Sequence, residues 1–204
     1  MRYFMLNKPK GVISACSDER HKTVLDLFPE EEREGLFHVG RLDKDTEGLL
    51  IVTDDGALCH KLMMPEHKVV KTYRFVAMGV LTYATAQRLE AGVNIGSTVV
   101  PIMTAPAKIE IIRVGEIREY TDKLSALDRK TAERRPSLAV TEGEITVTEG
   151  KKHEVKRIIG NAGLRVVYLK RLSIAALSLD PTLETGEYRE LSQCEIDNLK
   201  AEAN

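Results

Sequence analysis

The densest cluster of chemistry-bearing residues is "GRLDKDTEGLLIVTDDG" at 40–56, which sets five carboxylates in seventeen positions around an apolar run. A calcium loop would use such carboxylates as oxygen ligands, and a hydrolase or isomerase would use one of them as a fixed acid, base or nucleophile. Against the calcium pattern D-x-[DN]-x-[DN]-G-x5-E the chain offers Asp43, Asp45, Glu47, Gly48, an apolar Leu50 and Asp54. That loop must sit between two helices and end in a glutamate long enough to bind through both oxygens. Here Gly40 stands three residues before the first ligand, the run after Gly48 is strand-like, and the last position is the shorter Asp54. Calcium binding is disfavoured. Turn capping by Asp43 and Asp45, the commonest use of isolated aspartates, stays open beside carboxylate chemistry. What sets Asp43 apart is its place in "GRLD", with Arg41 two residues before it.

The elements that must position these residues follow from local pattern. "YFMLN" (3–7) reads as a strand entering the turn "KPKG", "TVLDLF" (23–28) as a helical turn before an acidic loop, and "LFHVG" (36–40) as a strand. "GLLIVT" (48–53) is a continuous buried strand, followed by a helix over "GALCHKLM" (56–63). "KTYRFVAM" (71–78) is a strand, and Thr82 and Gly92 bracket a helix. "AKIEIIRV" (107–114) and "GEITVTEG" (143–150) are strands; the charged stretch 116–136 between them reads as a mobile or helical insertion. In 152–163, Val155, Ile158, Ile159 and Ala162 share one arc of a helix that Gly163 ends. A strand over 165–174, a short strand at "EYREL" and a C-terminal helix close the chain. Without a regular βαβ rhythm, the expected class is α+β: a mixed, mainly antiparallel sheet with flanking helices. The expected organisation is a single domain over 1–204, or two subdomains around a cleft.

With 204 residues, 43% of them apolar, the chain can bury an ordinary core. No run approaches the roughly 20 apolar residues of a membrane span, and the N-terminus has a charge and a proline where a signal peptide needs its apolar stretch. A cytoplasmic protein is expected. Cys16, Cys59 and Cys194 lack ligand spacing and fit free thiols. The net charge is −1, but residues 150–172 hold seven Lys or Arg against one Glu, and residues 180–204 seven acids against two bases. One face can therefore be basic enough for an anionic partner while the whole is nearly neutral.

Four stretches in order, "MLNKPKGVI", "GRLDKDTEGLLIVTDDG", "KTY" at 71–73 and "EGKKHEVKRIIGNAGLRVVYLKR" at 149–171, resemble the signature of RNA pseudouridine synthases. The likeness is to the RsuA/RluB/RluE/RluF-type family that modifies ribosomal RNA, with the RsuA-like, small-subunit branch favoured. It implies the pseudouridine synthase catalytic fold and isomerisation of a uridine in RNA. That chemistry breaks the N-glycosidic bond, turns the uracil over while it stays bound, and rejoins it through C5. It requires an active carboxylate, a group near C5 for proton removal and a pocket for a flipped-out base, but neither metal nor cofactor.

The resemblance assigns the carboxylate to Asp43, the base-stacking and proton-assisting role to Tyr73, and the basic partner of the aspartate to Lys156. Arg41, Lys151, Lys152 and Arg157 are expected to bind RNA. On an ideal helix Lys156 borders the apolar arc and Arg157 points nearly opposite it, toward phosphate. The implied partner is ribosomal RNA or a ribosomal assembly particle, with no membrane and no metal, and the implied state is a monomer. Three departures stand out: Glu154 replaces the glutamine of most relatives, the chain starts almost at once on the catalytic domain's first strand rather than on a small RNA-binding domain, and 116–136 is long. A non-catalytic RNA binder on the same fold is the competing reading, but it would be expected to have lost one of Asp43, Tyr73 or Lys156. A glycosidase would require two flanking acids and an aromatic platform, and the chain has no Trp.

Overall fold

Residues 3–8 bury every side chain, so they form a strand that needs cover on both faces. A computed structural model describes residues 1–202. In chain order the strands and helices are β1 (Tyr3–Lys8), β2 (Phe37–Val39), β3 (Glu47–Thr53), α1 (Gly56–Met63), β4 (Lys71–Met78), α2 (Tyr83–Glu90), β5 (Lys108–Glu116), α3 (Ala126–Arg134), β6 (Ala139–Val147), α4 (Glu154–Gly160), β7 (Arg165–Ile174), β8 (Leu177–Ser178), β9 (Tyr188–Glu190) and α5 (Gln193–Glu202). Single 3-10 turns lie at Val24–Leu27, Glu30–Glu32, Pro65–His67 and Ile117–Tyr120. The strands and helices match expectation closely. The main shift is β6, which begins at Ala139 rather than Gly143. No helix among the described residues is long and apolar enough to cross a membrane.

The described chain divides into two compact units, Met1–Lys71 with the residues from Lys170 onward, and Thr72–Leu169. In the first, β3 is central: β1 pairs with it antiparallel, with Met5 opposite Ile51 and Asn7 opposite Leu49, and β9 extends the sheet beyond β1. On its other side the later half of β7 runs parallel to β3, placing Gly48 opposite Arg171. Tyr3, Met5, Leu49 and Ile51 face a core closed by Leu58 and Leu62 of α1 and Leu199 of α5. Asp55 starts α1 by accepting the Leu58 amide at 3.0 Å, and Tyr3 donates to the same carboxylate at 2.7 Å.

In the second unit the order is β5, β6, β4 and β7. Strand alternation splits its apolar residues between two cores. Phe75, Ala77, Ile145 and Val147 pack on Ala86 and Leu89 of α2 and on Val155, Ile158 and Ile159 of α4. Val76 and Val140 face the other way, onto Ile117, Tyr120, Leu124 and Ala132. The stretch 116–136 therefore takes the helical alternative and supplies a core face. Ser125 caps its helix by accepting the Asp128 amide at 3.1 Å.

Candidate active site

Asp43 lies in the first unit, on the loop between β2 and β3, and is half-buried. The loop owes its shape to fastenings on either side of the aspartate. Ser14 Oγ donates to the Leu42 carbonyl at 2.9 Å and accepts the Leu42 amide at 3.0 Å. The Thr46 amide donates to the Asp43 carbonyl at 3.0 Å, closing a turn, and the Gly11 amide donates to the Lys44 carbonyl at 2.7 Å. Lys8, wholly buried, donates to the Thr46 carbonyl at 2.8 Å and the Pro9 carbonyl at 2.9 Å. The first two sequence stretches thus meet as one object: the "NKPKG" turn braces "GRLDKDT".

The end of the fourth stretch joins them. Gly48 has φ +103°, and a Cβ there would lie 2.2 Å from the Arg171 carbonyl oxygen, so only glycine lets β3 approach β7 this closely. Arg171 is buried and its Nε donates to the Leu49 carbonyl at 2.7 Å. Lys71 of "KTY" is also buried and donates to the Val69 carbonyl at 2.8 Å. Three cations, Lys8, Lys71 and Arg171, are therefore taken from water and given backbone carbonyl acceptors, a costly arrangement in which Arg171 Nη2 stays buried with no acceptor. Sequence reading missed all three. The signal was present in the charged residues embedded in otherwise apolar runs.

Arg41 is exposed, as is Asp45. The would-be last calcium ligand, Asp54, is held instead by Arg2, whose amide and Nε reach it at 2.7 and 3.1 Å. Residues 47–53 leave the loop as a strand, where a calcium hand would require a helix.

The second unit holds Tyr73, Lys151, Lys152, Lys156 and Arg157. Tyr73 stands on the face of β4 that carries Phe75 and Ala77, half-buried against their core. Lys156 is half-buried on α4. Lys152 is exposed, while the Lys151 ammonium pairs with the Glu149 carboxylate. Arg157 lies differently from the ideal-helix projection: its guanidinium donates to the carbonyls of Lys152, at 3.2 Å, and Ile95. Asn161 Nδ2 donates to the Asn94 carbonyl at 2.9 Å, so the hairpin 94–103 is tied to α4 at two points.

Glu154 opens α4 and is 5% exposed. Burial, and next the Glu149 carboxylate beside it, push its carboxyl up to about 8. Burial works against charge on Glu149 too, but hydrogen bonds from Glu154, Lys151 and the Ala105 amide hold it below the usual carboxylate range. Burial and the neighbouring Glu149 thus both favour the neutral form of Glu154.

Comparison with known proteins bears on the whole chain. Residues 2–160 match the model of a family described as RNA pseudouridylate synthase. An uncharacterized RNA pseudouridine synthase of Bacillus subtilis is 43% identical over 195 residues, covering 95% of this chain and 71% of that protein. Ribosomal small subunit pseudouridine synthase A of Salmonella typhimurium is 35% identical, covering 96% and 72%. A crystal structure of a pseudouridylate synthase superposes with a TM-score of 0.77 at 32% identity, over 97% of this chain and 73% of that one. A human RNA pseudouridylate synthase domain protein, 15% identical with a TM-score of 0.59, shares the fold. The matched model spans the braced aspartate loop, "KTY" and the whole of α4, and on these grounds the chain belongs to the RNA pseudouridylate synthase family.

Proposed function

We propose that this protein isomerises a specific uridine of ribosomal RNA, in the small subunit, to pseudouridine. The observation that carries the reading is Asp43 on a loop closed by its own Thr46 amide and fixed at Leu42 by Ser14 and at Lys44 and Thr46 by the neighbouring "NKPKG" segment. A catalytic carboxylate gains most when its approach to the reacting carbon is set before substrate arrives. The small-subunit assignment is supported by the relatives named for that activity.

In this reading the target uridine leaves its stack, Tyr73 offers an aromatic face to the uracil and a phenol for proton transfer, and Asp43 drives cleavage of the glycosidic bond. The base turns over, C5 bonds to the ribose carbon that N1 has released, the proton on C5 is lost to a base in the site, and N1 takes up a proton. Lys156 supplies the positive charge that complements the aspartate, Arg41, Lys151 and Lys152 contribute attraction for the RNA backbone, and Arg157 serves RNA binding by holding the hairpin 94–103. The test is release of tritium from RNA carrying C5-labelled uridine. Asp43→Asn, which keeps size and removes charge, should abolish release while RNA binding persists; release at the wild-type rate would overturn the assignment. Mapping pseudouridines in ribosomal RNA from cells with and without the gene identifies the target.

A further inference from the structure

Two glutamates and one lysine meet where β6 gives way to α4. Glu149 accepts the Ala105 amide at 2.7 Å through one oxygen and pairs with the Lys151 ammonium through the other. Glu154 Oε2 accepts the Lys151 amide at 3.2 Å, and the Glu154 amide donates to the Lys151 carbonyl at 3.0 Å, so Glu154 brackets the backbone of Lys151. The other oxygen, Oε1, is buried with no donor directed at it, while the two carboxylates converge on one residue, Glu149 on the Lys151 ammonium and Glu154 on the Lys151 amide. Two carboxyl groups converging on one lysine, Glu154 buried and Glu149 part-buried, repel each other when both are ionised. A proton on Glu154 Oε1, donated to Glu149, satisfies the orphaned oxygen and removes the repulsion.

We propose that Glu154 is a positioning residue that works as a neutral carboxylic acid, joining the turn 149–153 to the start of α4 and so fixing the helix that carries Lys156 and Arg157. A protonated carboxyl sets a donor beside an acceptor in one plane, as a carboxamide does with its NH₂ and carbonyl groups. Glutamate at this position therefore does a carboxamide's work, with the difference that it can be switched off by raising the pH. The charged groups facing it are Glu149 and Lys151, both in the turn that follows β6; the packed segment 104–107 contributes an amide and no titratable side chain. Once Glu154 ionises, two carboxylates oppose each other and the turn loosens.

The sign of the stability effect follows. Glu154 is raised from an ordinary 4.5 to about 8. Between those values the folded state holds a proton that the unfolded chain has released, so stability falls as pH rises through this window. A glutamine at 154 has no such dependence.

The role in turnover rests on the functional reading above, so the experiment has arms that do not. The infrared spectrum of the RNA-free protein should show the carbonyl band of a buried carboxylic acid at neutral pH; it should fade as pH passes about 8 and be missing from Glu154→Gln. The melting temperature of Glu154→Gln should gain on wild type as pH rises. Absence of the band would overturn the shared proton whether or not the protein acts on RNA. In single-turnover assays wild type should lose rate on the alkaline side, and Glu154→Gln should keep its neutral rate within about twofold while losing that limb; Glu154→Ala should drop about tenfold or more at every pH. A glutamine variant that keeps the wild-type alkaline limb, or falls about tenfold at neutral pH, would overturn the positioning role. Should wild type leave uridine unchanged, the functional reading fails and the infrared and melting arms still decide the acid pair.

Discussion

Ser14 Oγ holds Leu42 from both directions, donating to its carbonyl at 2.9 Å and accepting its amide at 3.0 Å, one residue before Asp43. All of these groups are buried, so Ser14→Ala leaves an amide and a carbonyl without partners. The expected cost is about 1–3 kcal/mol of stability per unsatisfied group. If the bond pair also aims Asp43, kcat should fall while KM for RNA barely moves, since ground-state binding is untouched. Denaturant melts and steady-state kinetics on the same variant test both effects. A stability loss with an unchanged kcat would reduce Ser14 to a structural residue.

A second prediction concerns the close approach of β3 and β7. With φ +103° and a Cβ that would lie 2.7 Å from the Arg171 nitrogen and 2.2 Å from its oxygen, Gly48→Ala is strained in conformation and in contact. The conformation alone costs about 1–3 kcal/mol, and relieving the clash means opening the parallel pair that buries Arg171. The unfolding midpoint should drop by more than conformation alone explains. An unshifted midpoint would show that the strands can separate freely.

Much of this was legible in the sequence because the deciding forces are local. α1 and β4 have the bounds that pattern assigns, and α2 begins behind its Thr82 cap and stops short of Gly92. The two opposed faces of β6, Ile145 and Val147 against Glu144 and Thr146, follow from a period of two. What escaped depends on partners distant in sequence. The early start of β6 hides behind Glu142, polar but buried, which is held by Arg74, Arg113 and Tyr120. Arg157 projects from an ideal helix into solvent, but the hairpin 94–103 lies there and takes its guanidinium. Lys8, Lys71 and Arg171 read as surface charge because hydropathy cannot see the carbonyls that receive them.

That placement of Arg157 separates two ways of losing RNA affinity. Lys152 is exposed, so Lys152→Ala should remove one phosphate neutralisation and flatten the salt dependence of binding by about one unit. Arg157→Lys keeps the charge but cannot span two carbonyls as the planar guanidinium does. It should weaken binding through a looser hairpin with the salt slope unchanged. Fluorescence anisotropy with ribosomal RNA fragments at graded salt distinguishes the two. Arg157→Ala, which also removes the charge, should leave the slope unchanged as well; a slope flattened by about one unit in that variant would mean that Arg157 meets phosphate directly.

The final prediction lies at the other end of the first unit, where Arg189 of β9 clamps the start of α5. Its Nη1 and Nη2 reach the two oxygens of Glu195 at 3.0 and 2.8 Å, and its Nε reaches Asp180 at 2.7 Å. Arg189 is the main cause holding the Glu195 carboxyl down to about 2. Asp180 is likewise lowered to about 2, first by the Thr182 hydroxyl and amide and then by Arg189. Both folded values lie below the ordinary ones, so the stabilisation is fully present above the ordinary carboxylate range and is lost as pH falls through it toward 2. Arg189→Met retains an apolar stem and removes the charge. Glu195 should return toward its ordinary value of 4.5, whereas Asp180 should keep most of its shift through Thr182. The variant should therefore be less stable than wild type at neutral pH, and the gap should close on acidification as wild type gives up the same interaction. Because these side chains are a quarter to a third exposed, solvent and salt screen the pairs, and the gap should also narrow at high ionic strength. Unfolding free energies measured from neutral pH into acid check this directly, and a gap that stays constant with pH would show that Arg189 acts through packing rather than charge.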